Sequence, residues 1–171
     1  MQLKRYRFVL VLAVLLVAGL LVAAFWLHPL TRYQTYHAAS RFYDALIKGD
    51  YAQAFDHLAY YDRYSDLMPE ISRTEAKSIW TERVDALREA EVYLVDMAAL
   101  EVHFDDGYPV GTARVTVMDR GEAVTVVQQI HFVERAGSWM VQEVSPDPDV
   151  SAAAITQISQ AISGLVKPIN D

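Results

Sequence analysis

Histidine can do two kinds of chemistry in this chain, because imidazole binds zinc and transfers protons near neutral pH. His103 and His131 lie in two alternating apolar stretches, each opposite its apolar neighbours, so both are expected on one side of a sheet. Two imidazoles could begin a zinc site, but the chain has no cysteine and no third ligand at a metal-binding spacing. We predict no metal and no cofactor.

The sequence also lacks the common catalytic and nucleotide-binding motifs. No Gly-x-Ser-x-Gly, P-loop or His-Glu-x-x-His pattern occurs. The stretch 60–66 contains two carboxylates, Asp62 and Asp66, and Arg63 lies between them, where it can neutralise either one. We interpret this stretch as a polar loop and predict no catalytic residues and no enzyme activity.

A long apolar segment near the start of the chain predicts where the protein works. Residues 8–28 are almost entirely apolar, and about twenty residues at about 1.5 Å each match the roughly 30 Å core of a bilayer. Lys4, Arg5 and Arg7 precede the segment. Positive residues beside a span stay inside the cell, so we predict a single-pass protein with a cytoplasmic N-terminus and its C-terminal domain outside the cytoplasm. The alternative is a cleavable signal peptide, because residues 22–24 fit a small-residue cleavage site.

The part of the chain beyond the predicted span is acidic. Twelve of the fifteen lysines and arginines lie beyond residue 7 with all twenty-two aspartates and glutamates, so the formal charge there is about −10. Repulsion from phosphate argues against a nucleic-acid partner. Without cysteine, no disulfide or lipid-modified cysteine can hold or anchor this part.

Three helices are predicted before any strand. Apolar residues spaced by three and four predict a helix over 35–48, which Gly49 ends. Two later starts carry the capping-box pattern that opens a helix, namely Asp50 with Gln53 and Ser72 with Glu75.

After Ala90 the apolar period changes from 3.6 to 2, which predicts strands. Short turns between consecutive strands require an antiparallel meander. An apolar stripe in the tail predicts a short C-terminal helix. Helices followed by a run of strands indicate an α+β domain. The strands are expected near 92–105, 109–119, 122–134 and 138–145.

Two motifs carry a resemblance to a known family. The stretch 38–55, with its Gly49-Asp50 junction, resembles the first two helices of the NTF2-like superfamily of cystatin-like α+β cones. The Gly-x-Trp-x-Val pattern at 137–141 resembles the hairpin that opens the last strand of that family. The similarity covers roughly 36–146, and in style the chain looks like membrane-anchored bacterial members of unknown role. It implies three helices packed on a curved four-stranded antiparallel sheet.

This resemblance and the patterns above predict the division of the chain. We expect a cytoplasmic basic tail over 1–7, a transmembrane helix over 8–28, a juxtamembrane linker over 29–34, an NTF2-like extracytoplasmic domain over 35–146 and a C-terminal helical tail over 147–171.

The resemblance also bears on catalysis. Ketosteroid-isomerase-like members use a tyrosine seven residues before the junction glycine as an oxyanion donor, and here that position is Phe42, which has no hydroxyl. Their aspartate base follows the second helix, where Asp62 and Asp66 lie. The missing donor favours the prediction of no enzyme.

A ligand pocket is the other reading that the cone implies. Polar and aromatic side chains would surround its mouth, and a small amphipathic ligand would suit them. The competing interpretation is ordinary core packing, with the glutamine turned outward by a β-bulge. The predicted ligand-binding residues are Tyr43, Tyr60, Tyr61, Tyr64, Trp80 and Gln128.

These observations lead to one main functional hypothesis and two alternatives. The main hypothesis is a non-enzymatic single-span membrane protein whose extracytoplasmic domain serves protein–protein interaction, self-association or scaffolding in the cell envelope. The first alternative is a small-ligand binding module that uses the cone. An isomerase- or dehydratase-like enzyme comes last, because one superfamily hosts many functions and the residues must decide.

Overall fold

The computed structural model describes the backbone of residues 2–61, 71–146 and 153–166, and the side chains of residues 14–17, 29–61, 71–146 and 155–166. Within these residues, helices come first, a block of strands follows, and one helix closes the order. The elements are α1 (Gln2–Lys48), α2 (Tyr51–Asp56), α3 (Arg73–Glu89), β1 (Val92–Asp105), β2 (Tyr108–Asp119), β3 (Glu122–Arg135), β4 (Ser138–Pro146) and α4 (Ala153–Ile162).

The first helix is longer than the sequence pattern predicted. α1 runs for 47 residues, so the helix expected over 35–48 is its last part, and the predicted linker over 29–34 is helical with Pro29 inside it. No helical stretch within the described residues combines the length and apolarity that a membrane crossing needs. The predicted span over 8–28 lies outside the described side chains except at 14–17.

The predicted helix ends are confirmed in atomic detail. Gly49 has a φ of +73°, and the amides of Gly49 and Asp50 donate to the carbonyls of Leu46 and Ala45, which is the Schellman arrangement. The Asp50 carboxylate then accepts from the amide of Gln53 at 3.0 Å. At the start of α3, the Ser72 hydroxyl accepts from the amide of Glu75 at 3.2 Å. Local sequence therefore sets these three helix ends.

The four strands form one antiparallel sheet in the order β1-β2-β3-β4, as predicted for a meander. Two-residue turns join them, and both residues of each turn have a positive φ, as type I′ hairpins require. The predicted α+β class is thus confirmed. The turn pairs are Asp106-Gly107, Arg120-Gly121 and Ala136-Gly137.

Bulges bend the sheet toward the helices. The pairing of β1 with β2 shifts register after Leu94 and again after Ala98, where Ala99 has a φ of +50°. A further shift after His131 interrupts the pairing of β3 with β4. Each bulge adds an unpaired residue and increases the local twist, so the sheet presents a concave face. α1 packs against β1 and β4 on that face.

The C-terminal helix closes the concave side of the sheet. α4 packs between α3 and β4 and also contacts β1. Its residues Ile155, Ile158 and Ile162 are buried in the same core as the sheet. The chain after α4 then pairs with the segment that follows α2, because the amide of Tyr61 donates to the carbonyl of Gly164 and the amide of Val166 donates to the carbonyl of Tyr61. The tail is therefore part of the packed domain.

Candidate functional site

A chain of hydrogen bonds crosses the interior between α1, β3 and α4. The hydroxyl of Tyr43 donates to Oε1 of Gln128 over 2.9 Å, and Nε2 of Gln128 donates to Oγ of Ser159 over 2.8 Å. Ser159 donates in turn to the carbonyl of Ile155, one turn earlier on α4. Tyr43, Gln128 and Ser159 are all fully buried. The three side chains therefore satisfy one another in a place that water does not reach.

Gln128 points into the core. Val126, Gln128 and Ile130 are buried along β3, whereas Val127 and His131 between and beyond them are exposed. The pairing of β2 with β3 runs without a shift past this position. The interpretation that a bulge turns Gln128 outward is therefore wrong, because its hydrogen bonds to Tyr43 and Ser159 offset the cost of burying its amide.

Burial dominates the electrostatics of Tyr43. It raises the pKa of the Tyr43 phenol far above the ordinary value, because the phenolate would have no water and no cation to stabilise it. The group therefore stays a neutral hydrogen-bond donor at physiological pH.

Trp80 binds α4 as well. Its indole Nε1 donates to the carbonyl of Ser163 over 3.2 Å, and the ring packs against Phe42 and Phe55. The Ser163 hydroxyl donates to carbonyls of α4 and β4 and accepts from the amide of Val144. Trp80 thus faces the end of α4 in the core, where the side chain is fully buried.

The predicted tyrosines after α2 occupy other surroundings. Tyr60 is partly buried and stacks on Phe55 with ring centroids 5.6 Å apart, and the guanidinium of Arg135 lies 6.0 Å from its ring centre. Tyr61 is buried and pairs through its backbone with the stretch that follows α4. Tyr64 lies outside the described residues, as do Asp62 and Asp66.

α4 therefore occupies the space that the predicted pocket needed. The structure brings Tyr43 and Gln128 together and bonds Gln128 and Trp80 to α4. The gap that α4 leaves against α3 and β1 measures about 10 Å³, and the gap on its side toward β4 measures about 180 Å³. The sequence analysis assigned no role to Ser159 and Ser163. The pattern that indicates one is present, because two serines four residues apart interrupt the apolar stripe of the last helix. As ligand-binding residues the six side chains remain a prediction.

Arg83 fixes the end of α4 from the side of α3. Its guanidinium donates to the carbonyls of Ser163 and Leu165, just beyond the last residue of α4. A positive charge is favourable there because the carbonyl end of a helix carries a partial negative charge. Burial lowers the pKa of Arg83 to about 10. Among the described residues, its Nε is the one buried side-chain nitrogen or oxygen without a hydrogen-bond partner.

Two of the concave regions that open to the surface border α1, one on each side of the helix. We call the first the α1–α2 cleft, which holds about 480 Å³. We call the second the α1–β1 groove, which holds about 530 Å³. The cleft is lined by Tyr33, Gln34, His37, Ala38, Arg41, Asp56, His57, Gly137, Ser138, Trp139 and Met140. The groove is lined by Pro29, Arg32, Tyr33, Tyr36, Leu100, Glu101, Val102 and Phe104.

Trp139 belongs to the cleft and is only half-buried. The two strand histidines, His103 and His131, both pair with Val110 and are exposed, so they share the outer face of the sheet as predicted. Across the described residues, no three histidine, aspartate or glutamate side chains gather as ligands for a metal.

The comparisons with known proteins give distant structural likenesses. One is an NTF2 design carrying five substitutions, with 15% identity and a TM-score of 0.40 over 63% of this chain and 91% of that chain. Another is a variant of Rv3472, a protein of unknown function from Mycobacterium tuberculosis, with 12% identity and a TM-score of 0.45 over 80% of this chain and 92% of that one. No protein-family model and no curated protein matches the sequence.

Proposed function

We propose that this chain is a non-enzymatic binding module that recognises a protein partner through its outer surface and is held at the membrane by the first part of α1. One observation carries the proposal. α4 fills the concave side of the sheet and uses the amide of Gln128, the predicted polar centre of a pocket, for its own hydrogen bond. An internal helix in this position leaves the surface for recognition.

The interior also offers little that catalysis needs. A proton-transfer site requires a base and a donor aimed at one point that substrate can reach. The phenol of Tyr43 lies in this interior, and Oε1 of Gln128 already accepts its hydrogen bond. Phe42, at the position of the family's donor tyrosine, is fully buried. An enzyme of the isomerase or dehydratase type would need α4 to leave first.

The α1–β1 groove is the surface that suits a protein partner best. Tyr33 and Tyr36 are 62% and 42% exposed on α1, and Leu30 beside them is 53% exposed. Across the groove, Leu100 and Phe104 of the edge strand β1 are partly buried. Exposed aromatic residues beside an apolar groove are typical of protein interfaces.

The membrane part of the proposal rests on the sequence pattern and on one feature of α1. Residues 14–17 are all apolar and each is more than half exposed. Four consecutive residues point in all directions around a helix, so the protein covers no side of α1 there. A lipid environment would cover it. The three basic residues near the N-terminus support a cytoplasmic location for residues 1–7 and a location outside the cytoplasm for the domain.

A small-ligand module remains the second candidate, and the Tyr43–Gln128 pair is the observation that favours it. Both side chains are polar and buried, and the hydroxyl of Tyr43 on α1 bonds the amide of Gln128 on β3. A ligand would have to replace the hydrogen bond that Gln128 donates to Ser159 and the apolar contacts of Ile155 and Ile158. The cost of removing α4 places this candidate behind surface recognition.

Site-specific photocrosslinking in intact cells separates the two candidates. A photoreactive amino acid at Tyr36 samples the α1–β1 groove, and one at Thr125 samples the exposed outer face of β3 as the control. We expect a discrete protein adduct from position 36 that Leu100→Asp abolishes, and none from position 125. The adduct mass tells a second copy of this chain from another protein. Absence of any adduct at position 36, or an adduct unaffected by Leu100→Asp, would count against the proposal.

A further inference from the structure

The α1–α2 cleft has a polar lining that packing does not explain. Tyr33, His37 and Arg41 are spaced by four residues, so they follow one another along a single face of α1. The end of α2, at His57, forms the floor, and the turn between β3 and β4 forms the opposite wall with Trp139. A volume of about 480 Å³ is within the range of small-ligand sites.

Arg41 is the unmatched charge of this cleft. Among the described residues it forms no ion pair and no hydrogen bond, although the domain around it is strongly acidic. The nearby carboxylate of Asp56 is already engaged, because Lys77 lies 3.1 Å and Arg73 lies 3.5 Å from its Oδ1. The guanidinium of Arg41 is therefore free to meet an external anion.

The same charges shift the pKa values of His57 and Asp56. Burial, followed by the positive charge of Arg41, lowers the pKa of His57, while Asp56 opposes the shift. Burial alone would raise the pKa of Asp56, but the hydrogen bonds and charges of Lys77 and Arg73 bring it below its ordinary value. Near pH 7 the guanidinium of Arg41 thus lies in the cleft with a neutral His57.

We propose that the α1–α2 cleft is a binding site for a carboxylate attached to an apolar or aromatic body. Arg41 would hold the carboxylate in a charge-assisted hydrogen bond, and the hydroxyl of Ser138 lines the same cleft. Trp139, Tyr33 and Met140 supply an aromatic and apolar wall for the rest of the molecule. A single guanidinium beside Asp56 suits a singly charged carboxylate better than a doubly charged phosphate.

The carboxylate could belong to a free organic acid or to the C-terminus of a peptide, and both share the chemistry that the cleft recognises. The inference does not depend on the α1–β1 groove or on the membrane anchor. Its failure therefore leaves the proposed function intact, and failure of the crosslinking experiment leaves this inference intact.

Titration of the full chain in detergent micelles with 3-phenylpropionate tests the site by NMR. Trp139 lines the cleft, so the signal of its indole N–H should shift. The indole N–H of Trp80 is buried and donates to Ser163, so its signal should not shift. The matched neutral ligand, 3-phenylpropionamide, should bind at least about tenfold more weakly. A tripeptide ending in Phe with a free carboxylate, compared with its C-terminal amide, distinguishes the peptide source from the free acid.

Arg41→Gln should weaken binding of 3-phenylpropionate at least about tenfold, and Arg41→Lys should weaken it less. Arg114→Gln, on the exposed outer face of β2, is the control and should bind as the parent does. Bound acid should also raise the pKa of His57, because a carboxylate opposes the charge of Arg41. Arg41 is exposed, so the urea midpoint of Arg41→Gln should match that of the parent.

Four results would overturn the inference. The first is equal affinity for the acid and its amide, and the second is unchanged affinity in Arg41→Gln. The third is a shift of Trp80 without a shift of Trp139, which would show that the acid enters the cone. The fourth is the absence of any shift at about 10 mM acid, because the dissociation constant would then lie well above that concentration.

Discussion

The hydroxyl of Tyr43 on α1 lies 2.9 Å from Oε1 of Gln128 on β3 and donates a hydrogen bond to it. The two residues are 85 positions apart in the chain. This bond joins the longest helix to the middle of the sheet, and Gln128 extends it to α4 through Ser159. A polar centre in an apolar core is stable only when every member finds a partner, so this relationship specifies how the three elements meet.

Replacing Gln128 tests that centre. In Gln128→Leu, the buried hydroxyl of Tyr43 loses its acceptor and Ser159 loses its donor. We expect the free energy of unfolding to fall by about 1–3 kcal/mol, measured by urea denaturation. Gln129→Leu, one residue along on the other face of β3, is the control and should change it by less than about 0.5 kcal/mol. Equal effects of the two substitutions would contradict the buried role of Gln128.

The buried phenol of Tyr43 predicts a pH dependence at alkaline pH. Its pKa is raised in the folded protein, so the phenol stays protonated there while the unfolded chain ionises near its ordinary value of 10.0. The contribution of this group is present in full below about pH 10 and is lost as the pH rises further, because only the unfolded state releases the proton. We expect stability to decline more steeply above pH 10 in the parent than in Tyr43→Phe. Parallel curves for the two proteins would show that Tyr43 ionises freely.

Gly164, two residues after the end of α4, has no room for a side chain. A Cβ at this position would lie 2.1 Å from the carbonyl oxygen of Ala59 and 2.8 Å from that of Gln142. The backbone of Gly164 also donates to Gln142 and accepts from Tyr61, so it cannot move away without losing these bonds. We expect Gly164→Ala to destabilise the fold by about 3 kcal/mol or more.

Hydrogen exchange locates this effect. The amides of α4 should exchange much faster in Gly164→Ala than in the parent. Gly121→Asn is the control, because nothing lies within 4 Å of a Cβ there and asparagine tolerates a positive φ. Undisturbed α4 amides in Gly164→Ala would mean that the tail docks differently.

The two tryptophans of the domain should differ in their contribution to stability. Trp80 is fully buried and bonded to Ser163, so Trp80→Ala should cost about 3–5 kcal/mol. Trp139 is only half-buried, so Trp139→Ala should cost clearly less. The urea midpoints of the two variants give the comparison. A larger loss of stability from Trp139→Ala than from Trp80→Ala would contradict the deeper burial of Trp80.

The orientation in the membrane is tested by protease accessibility. If Lys4, Arg5 and Arg7 keep the N-terminus inside, protease added to intact spheroplasts should digest the domain. A cytoplasmic protein serves as the control and should survive until lysis. Protection of the domain until the membrane is lysed would contradict the proposed location.

Local patterns in the sequence determined most of the secondary structure. The helix ends at Gly49 and Ser72 and the three hairpin turns were predictable, because caps and type I′ turns depend on residues a few positions apart. Alternation of apolar residues also set which faces of the strands are buried. The α+β class follows from the order of these elements.

Only the tertiary structure decided what fills the concave face. The last helix was predicted as an element, yet nothing in its apolar stripe says that it lies under Trp80 with Ser159 bonded to Gln128. The same holds for Arg41 in the α1–α2 cleft, which meets His57 and Trp139 only after folding. Such contacts join residues far apart in the chain, and periodicity records only which face of an element avoids water. Which partner covers that face is settled by the packing of whole elements in three dimensions.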